Sequence, residues 1–388
     1  MGRIAAALIA AVVLAAPQAG AKEGPMVPSR LLGFVAQGKK LSVVKLDAST
    51  LAPVSKALPT GSANVSYVAR SPGRGTRVAF AAGASSLRFL DRTHMRWDGR
   101  VAFPGTPAAA LWNYANKLVT LTETAQVVVV DPTKRRLRAQ RSVGGTLGAF
   151  TVAGDRIVAV GAPLDGIGPA QLAVIDDAGK ARITPLPQIR AGSETLDNGS
   201  VFRFEWPALA VDPSGTQAAV VSAQGTIVVV KLDTLAASVH GARALAAVRK
   251  NANGSYRTAQ WTLSGTVAVT GTDTTFDGTS ERSTPAGLTL LDAQNWSARS
   301  VDADTSDLAY SPITDVLLAY GRNGLARYGA DGAQRFRLFN GTAMEPTFIA
   351  GTYVYLRRTS TQFTIVDGWT GNIVKTVDTR TPTVLAAM

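Results

Sequence analysis

A short apolar strand that ends in Asp and runs into a polar turn recurs along almost the whole of this chain. No other feature limits the fold as strongly. The unit is read at residues 41–47, 87–91, 127–131, 172–176, 227–233, 288–292 and 363–367, ending in Asp47, Asp91, Asp131, Asp176, Asp233, Asp292 and Asp367. One further unit, residues 324–328, sits in the gap between Asp292 and Asp367 and uses Gly329-Ala330-Asp331-Gly332 as its turn. Eight units result, spaced roughly every forty to sixty residues, and between them lie further β-branched or aromatic runs bounded by Gly, Asp, Asn or Pro. A unit of this size cannot bury both faces of its own sheet, so neighbouring units have to stack on one another.

A second marker precedes several units, where an apolar strand leads through a Pro/Gly turn into another apolar strand. Ser71-Pro72-Gly73-Arg74-Gly75, Asp212-Pro213-Ser214-Gly215 and Ser311-Pro312 are such turns, and they read as hairpins. Several strands per unit at this period are the signature of a β-propeller. The chain resembles the propeller superfamily of WD-repeat, YVTN and quinoprotein-like repeats, over roughly residues 31–387. Asp367-Gly368-Trp369-Thr370-Gly371 is similar to the Asp-x-x-Thr-Gly turn of quinoprotein-type blades, although Lys375 stands where those repeats dock a tryptophan, and no cofactor is expected. The expected fold is all-β, a single propeller of eight four-stranded blades. Seven is the alternative if residues 236–253 are an insertion, and an Ala-rich run at 235–250 has partial helical spacing. The first unit offers only three strands (31–36, 41–46 and 51–58), and the apolar tail 383–387 is a spare one, so pairing of the two ends is expected to close the ring.

The 388 residues are 46% hydrophobic and 17% charged, which suits one globular domain and excludes a disordered chain. Cysteine is absent, excluding a disulfide scaffold, a thiolate metal site and a cysteine nucleophile. With only His94 and His240, no multi-histidine metal centre is expected. Arg3, the unbroken apolar stretch 4–16, Pro17 and the small-residue triplet Ala19-Gly20-Ala21 read as a signal peptide cleaved after Ala21. Residues 22–30 would then be a linker and 31–388 the propeller. The apolar stretch spans roughly 20 Å as a helix, short of the about 30 Å of a bilayer core, so no transmembrane span is expected. Composition suggests a bacterial, extracytoplasmic protein. The net charge is +13.

In a propeller, connections between second and third strands and between consecutive blades share one face, and the other hairpins share the opposite one. The long connections, 161–170, 187–205, 241–256 and 271–286, are all of the first kind and all belong to the fourth to sixth units. Connections usually run about four to six residues, so long ones gathered on one sector suggest a binding face. That sector carries Asp165, Arg190, Glu194, Asp197, Arg203, Glu205, Arg249, Tyr256, Arg257, Asp273, Asp277 and Arg282, a mixture suited to a polar ligand or another protein's surface. Asp273-x-x-x-Asp277-Gly278 lacks EF-hand spacing and reads as a solvated acidic turn. The opposite face gathers Arg74, Arg92, Arg96, Lys134, Arg135 and Arg136, a field that attracts polyanions such as an anionic cell-envelope polymer. Nucleic acid is not expected in that compartment.

No Gly-x-Ser-x-Gly, His-Glu-x-x-His or Gly-x-x-x-x-Gly-Lys motif occurs, and neither histidine has a serine and an acidic orienter at a recognised spacing. The tryptophans are spread at most one to a unit and read as packing residues. The expected role is an exported, monomeric, non-catalytic binding module for an unknown protein or polar ligand. The alternative is an extracytoplasmic enzyme, a lyase, hydrolase or quinone-type dehydrogenase, working through carboxylate pairs such as Glu194 with Asp197 or Glu205 with Asp273.

Overall fold

The computed structural model describes residues 30–71, 75–83, 85–113, 115–164, 166–195, 201–242, 252–276, 280–311, 314–344, 346–359, 362–378 and 385–387. Every regular element among them is a β-strand, and no helix is long and apolar enough to cross a membrane. The expected signal peptide and most of the linker lie outside the described residues.

The strands form six separate four-stranded sheets and one ten-stranded sheet. The first sheet joins the chain's two ends: Arg30–Gln37 pairs with Lys40–Asp47 on one side and with the tail strand Leu385–Ala387 on the other, in register Leu31 to Ala387 and Gly33 to Leu385. Four consecutive strands make up each of the sheets spanning Val65–Arg70 to Arg96–Ala102, Pro107–Trp112 to Arg136–Ser142, Ala208–Val211 to Ala237–Gly241, Thr305–Ser311 to Gln334–Leu338, and Pro346–Ala350 to Ile373–Asp378. The remaining ten strands, from Thr146–Ala153 to Ala298–Asp302, are hydrogen-bonded into a single sheet that passes by the Ala208–Gly241 unit. The expectation of eight independent four-stranded blades, or of seven, is therefore wrong, since six form. The cause lies in the two long connections, whose described parts 187–195, 201–205, 271–276 and 281–285 are strand rather than loop, with Val201–Trp206 pairing to Gly254–Trp261. The expected helical run at 235–250 is also corrected in part. Ala237–Gly241 is a strand paired with Thr226–Lys231, and residues 243–251 lie outside the described residues.

Alternation of side chains across each strand gives every sheet two apolar faces, and each face is buried by the next sheet. Leu32, Phe34, Val43, Val78, Phe80 and Leu90 join the first sheet to the second, while Leu31, Val44, Leu46, Tyr355, Phe363 and Ile365 join it to the last. Burying such a side chain fully contributes about 1.5–3 kcal/mol, so the ring is held by these inter-sheet layers. The Tyr355 hydroxyl donates to the Ala48 carbonyl at 2.8 Å across that junction.

The recurrent Asp has a structural job. Its carboxylate accepts backbone N–H groups two and three residues on: Ser49 and Thr50 at Asp47, Thr93 and His94 at Asp91, Lys134 at Asp131, Trp369 and Thr370 at Asp367. The residue four beyond it then takes a left-handed backbone, as at Leu51 (φ 54°), Met95 (φ 50°), Arg135 (φ 52°) and Trp296 (φ 60°). That conformation costs about 1–2 kcal/mol for a non-glycine residue. Leu51 offsets it by burying its side chain completely, a gain of about 1.5–3 kcal/mol. In the unit at 227–233 the turn begins two residues early, because the Leu235 N–H bonds to the Lys231 carbonyl at 2.8 Å, and Asp233 instead pairs with Arg156 at 2.7 Å.

Candidate functional site on the ten-stranded sheet

The fusion of the fourth and sixth units is built from three extended pieces. Gly166–Ile175 and Ala181–Thr195 form a hairpin far longer than its sheet needs. The end of that hairpin pairs antiparallel with Val201–Trp206, which in turn lies parallel to Gly254–Trp261 through Phe204–Gly254, Glu205–Ser255 and Trp206–Tyr256. Gly254–Trp261 pairs with Thr266–Phe276, and the Thr266–Phe276 extension carries the edge strand Glu281–Pro285. Two aromatic side chains pin the bridging strand, with Phe204 against Gly254 and Trp206 against Gly148 at positions where any Cβ would overlap the ring. At the two places where a long hairpin leaves its unit, glycine is required. Gly192 (φ 131°) and Gly271 (φ 147°) have backbones closed to most residues, and a Cβ would overlap the carbonyl oxygens of Gly166 and Tyr256 respectively.

All the described long-connection residues singled out from the sequence lie on this sheet: Arg190 and Glu194 on Ala181–Thr195, Arg203 and Glu205 on Val201–Trp206, Tyr256 and Arg257 on Gly254–Trp261, Asp273 on Thr266–Phe276 and Arg282 on Glu281–Pro285. Asp165, Asp197, Arg249 and Asp277 lie outside the described residues. The sheet does not gather these side chains into one cluster. Glu194 and Arg203 stand opposite each other in the ladder. Arg190 approaches Glu205 at 3.8 Å beside a cavity of about 200 Å³ lined also by Gln188, Trp206, Gln224 and Ser255. Arg257 and Asp273 are both buried and face each other at 2.8 Å, the guanidinium also donating to the carbonyls of Tyr256 and Thr272. The carboxylates Glu205 and Asp273, considered from the sequence as an acid–base pair, thus each face an arginine instead.

Among the described residues of the set, Tyr256 lines a larger space. A cavity of about 540 Å³ is lined by Tyr256, Thr272, Ser283, Pro285, Asp307, Tyr320, Arg322 and Met344 among others. It lies where the edge strand Glu281–Pro285 meets the next sheet. The connections that form its rim, 271–286 and 321–324, each join a second strand to a third, so the cavity belongs to the long-connection face. Asp307 is its charged floor: Oδ2 accepts the Tyr320 hydroxyl at 2.9 Å, and Oδ1 accepts the Leu308 N–H at 2.8 Å and the Thr258 hydroxyl at 3.4 Å. Burial, and after it the nearby Asp307 charge, raise the Tyr256 hydroxyl above its ordinary pKa, keeping it a neutral donor. Arg322 reaches over the rim to the Ser283 carbonyl at 3.4 Å. Sequence reading missed Asp307, Tyr320 and Arg322, which sit in ordinary short turns and strands with no motif to mark them.

On the opposite face the structure separates two kinds of cation. Arg77 pairs with Asp98, Arg138 with Asp131 at 3.0 Å, and Arg96 lies 3.7 Å from Asp91. Arg92 donates to the Gly75 carbonyl at 3.0 Å. Lys134, Arg135 and Arg136 are exposed and have no ion pair among the described residues. Arg74 lies outside the described residues. Of the tryptophans, Trp112, Trp261 and Trp296 are buried between sheets, whereas Trp369 is half exposed beneath the Arg327 guanidinium, 3.8 Å from its ring centre.

The ring of radially stacked sheets has counterparts among solved structures. Dihydro-heme d1 dehydrogenase NirN superposes with a TM-score of 0.60 at 14% identity, covering 93% of this chain and 75% of that one. The chain is a β-propeller. AztD from Citrobacter koseri gives a TM-score of 0.54 at 11% identity, covering 92% of this chain and 96% of that one. The computationally designed Ika8 protein gives 0.51 at 12% identity, over 81% and 87% of the two chains. At these identities the likeness is one of fold, and its partners range from a dehydrogenase to a design. No family model and no curated protein matches the sequence.

Proposed function

We propose that this propeller is an exported, non-catalytic binding module whose ligand or partner sits on the long-connection face. The observation that carries the reading is the ten-stranded sheet. The strands Ala181–Thr195, Val201–Trp206, Gly254–Trp261, Thr266–Phe276 and Glu281–Pro285, from distant parts of the sequence, are tied by main-chain hydrogen bonds into one surface that borders a cavity. Binding residues held on strands are more closely positioned than on free loops. Glu205 and Asp273 each face an arginine, which favours a recognition role over acid–base catalysis by that pair. Export is supported by the leader-like residues 1–21. The opposite face is assigned the weaker task of attracting an anionic envelope polymer through Lys134, Arg135 and Arg136, an electrostatic effect that salt screens.

The test is retention from the protein's own cell envelope by the immobilised chain, read by mass spectrometry. Tyr256→Ala with Arg282→Ala should lose the specific partner, while Lys134→Gln, Arg135→Gln and Arg136→Gln together should lose only salt-sensitive polymer. A partner retained equally by both variants would end the assignment of the face. Turnover of a substrate by the chain would favour the enzymatic alternative.

A further inference from the structure

We propose that the cavity beside Tyr256 binds a neutral saccharide; the proposal rests on the long-connection face being the binding face and names the ligand class for it. The volume of about 540 Å³ falls within the roughly 300–1,000 Å³ of small-ligand sites. Its lining combines one carboxylate, one guanidinium, several hydroxyls and two tyrosine rings, and that combination is selective.

Asp307 uses three acceptor positions, for Tyr320, Leu308 and Thr258. A carboxylate offers about four lone-pair sites, which leaves capacity for a ligand hydroxyl. Lining the same cavity, the exposed Arg322 offers several N–H donors and commits one of them, at 3.4 Å, to the Ser283 carbonyl. A ligand whose groups both donate and accept, such as a vicinal diol, can serve the carboxylate and the guanidinium alike.

Charge decides the class. The carboxylate and the guanidinium cancel, so an anionic ligand drawn to Arg322 meets Asp307, and a cationic one drawn to Asp307 meets Arg322. A neutral polyol meets neither penalty, and its hydrogen bonds to the two charged groups are of the stronger, charge-assisted kind. Tyr256 is 39% exposed and lines the cavity together with Pro285 and Met344, apolar surface on which the C–H face of a pyranose ring can lie. Its hydroxyl makes no hydrogen bond among the described residues and is held neutral by burial and Asp307, so it is free to donate at the ring's edge.

Isothermal titration of the full chain with glucose, N-acetylglucosamine, maltose, cellobiose and N,N′-diacetylchitobiose, with spermidine and citrate as charged controls, tests this. At least one neutral sugar should bind with a Kd of about 0.1–1 mM, insensitive to salt. Asp307→Asn and Tyr256→Ala should each weaken it about tenfold, the equivalent of one charge-assisted hydrogen bond or one buried contact. Should Asp307→Asn fail to fold, Arg322→Gln on the exposed rim takes its place. Binding of spermidine or citrate without any sugar overturns the class, as does sugar binding unchanged in these variants. If every sugar is silent while Tyr256→Ala with Arg282→Ala still abolishes envelope capture, the saccharide assignment fails and the binding face stands; if capture is unaffected as well, both fail.

Discussion

The buried pair Arg257–Asp273 offers the sharpest test of how the fused sheet is held. Each side chain is only 4% exposed and the contact is 2.8 Å. Asp273→Ala would leave a guanidinium buried with two carbonyls, those of Tyr256 and Thr272, as its remaining acceptors among the bonds described. Carbonyl dipoles replace the carboxylate only in part, so the cost should fall near the lower end of the about 3–5 kcal/mol seen when one partner of a buried pair is removed. Replacing both residues by leucine removes both charges from the interior, and the double variant should recover most of that loss. Urea unfolding followed by tryptophan fluorescence on the wild type, Arg257→Leu, Asp273→Leu and the double leucine variant gives the coupling energy directly. A value of about 2–3 kcal/mol is expected for residues in contact. Simple additivity, or a loss below about 1 kcal/mol for Asp273→Ala, would refute the view that this pair locks Gly254–Trp261 to Thr266–Phe276.

Two further outcomes follow from the same geometry. Deleting residues 383–388 removes the three ladder pairs between Leu385–Ala387 and Arg30–Gln37; at about 0.5–1.5 kcal/mol per hydrogen bond it should lower stability by a few kcal/mol and raise light scattering on heating, and an unchanged melting profile would discount the end-pairing. Asp302 is pushed up by burial, but hydrogen bonds from Arg337, the Asp304 N–H, Tyr328 and Thr305 outweigh this and leave it below its ordinary pKa. Its contribution is therefore present above the unfolded value of about 3.9 and lost as the pH falls below it; Asp302→Asn should be less stable at neutral pH and show a shallower acid limb, and an acid limb identical to wild type would contradict this.

Much of the ring was legible in the sequence because its determinants are local. A β-branched run closed by Asp specifies a strand, a side-chain-to-backbone turn and a left-handed fourth residue, all within a dozen positions. The fusion of two units was not legible, because it depends on pairing between residues such as Phe204 and Gly254, fifty positions apart, in segments whose length suggested loops. Their strand character was nonetheless written in the alternation of Val201-Phe202-Arg203-Phe204-Glu205-Trp206 and in the threonine-rich 270–275. The face proposed for binding was read from connection length. Its cavity was not, since Tyr256 and Asp307 lie on different sheets and become neighbours only when one sheet stacks on the next. The turn at Lys231 shows a further limit, for Asp233 looked like the recurrent capping residue and is instead an ion-pair partner of Arg156.

Repeat proteins ordinarily change length by gaining or losing whole units, since each unit touches only its neighbours. The bridging strand Val201–Trp206 removes that freedom locally. It hydrogen-bonds the hairpin ahead of the Ala208–Gly241 sheet to the strand that follows it. A duplication or deletion between residues 201 and 256 would tear a continuous ladder, whereas the same event at one of the separate sheets outside that span, such as Val65–Arg70 to Arg96–Ala102, would leave every other sheet's ladder intact. The ring therefore has a segment where evolution by repeat number is blocked, and change there must proceed by substitution.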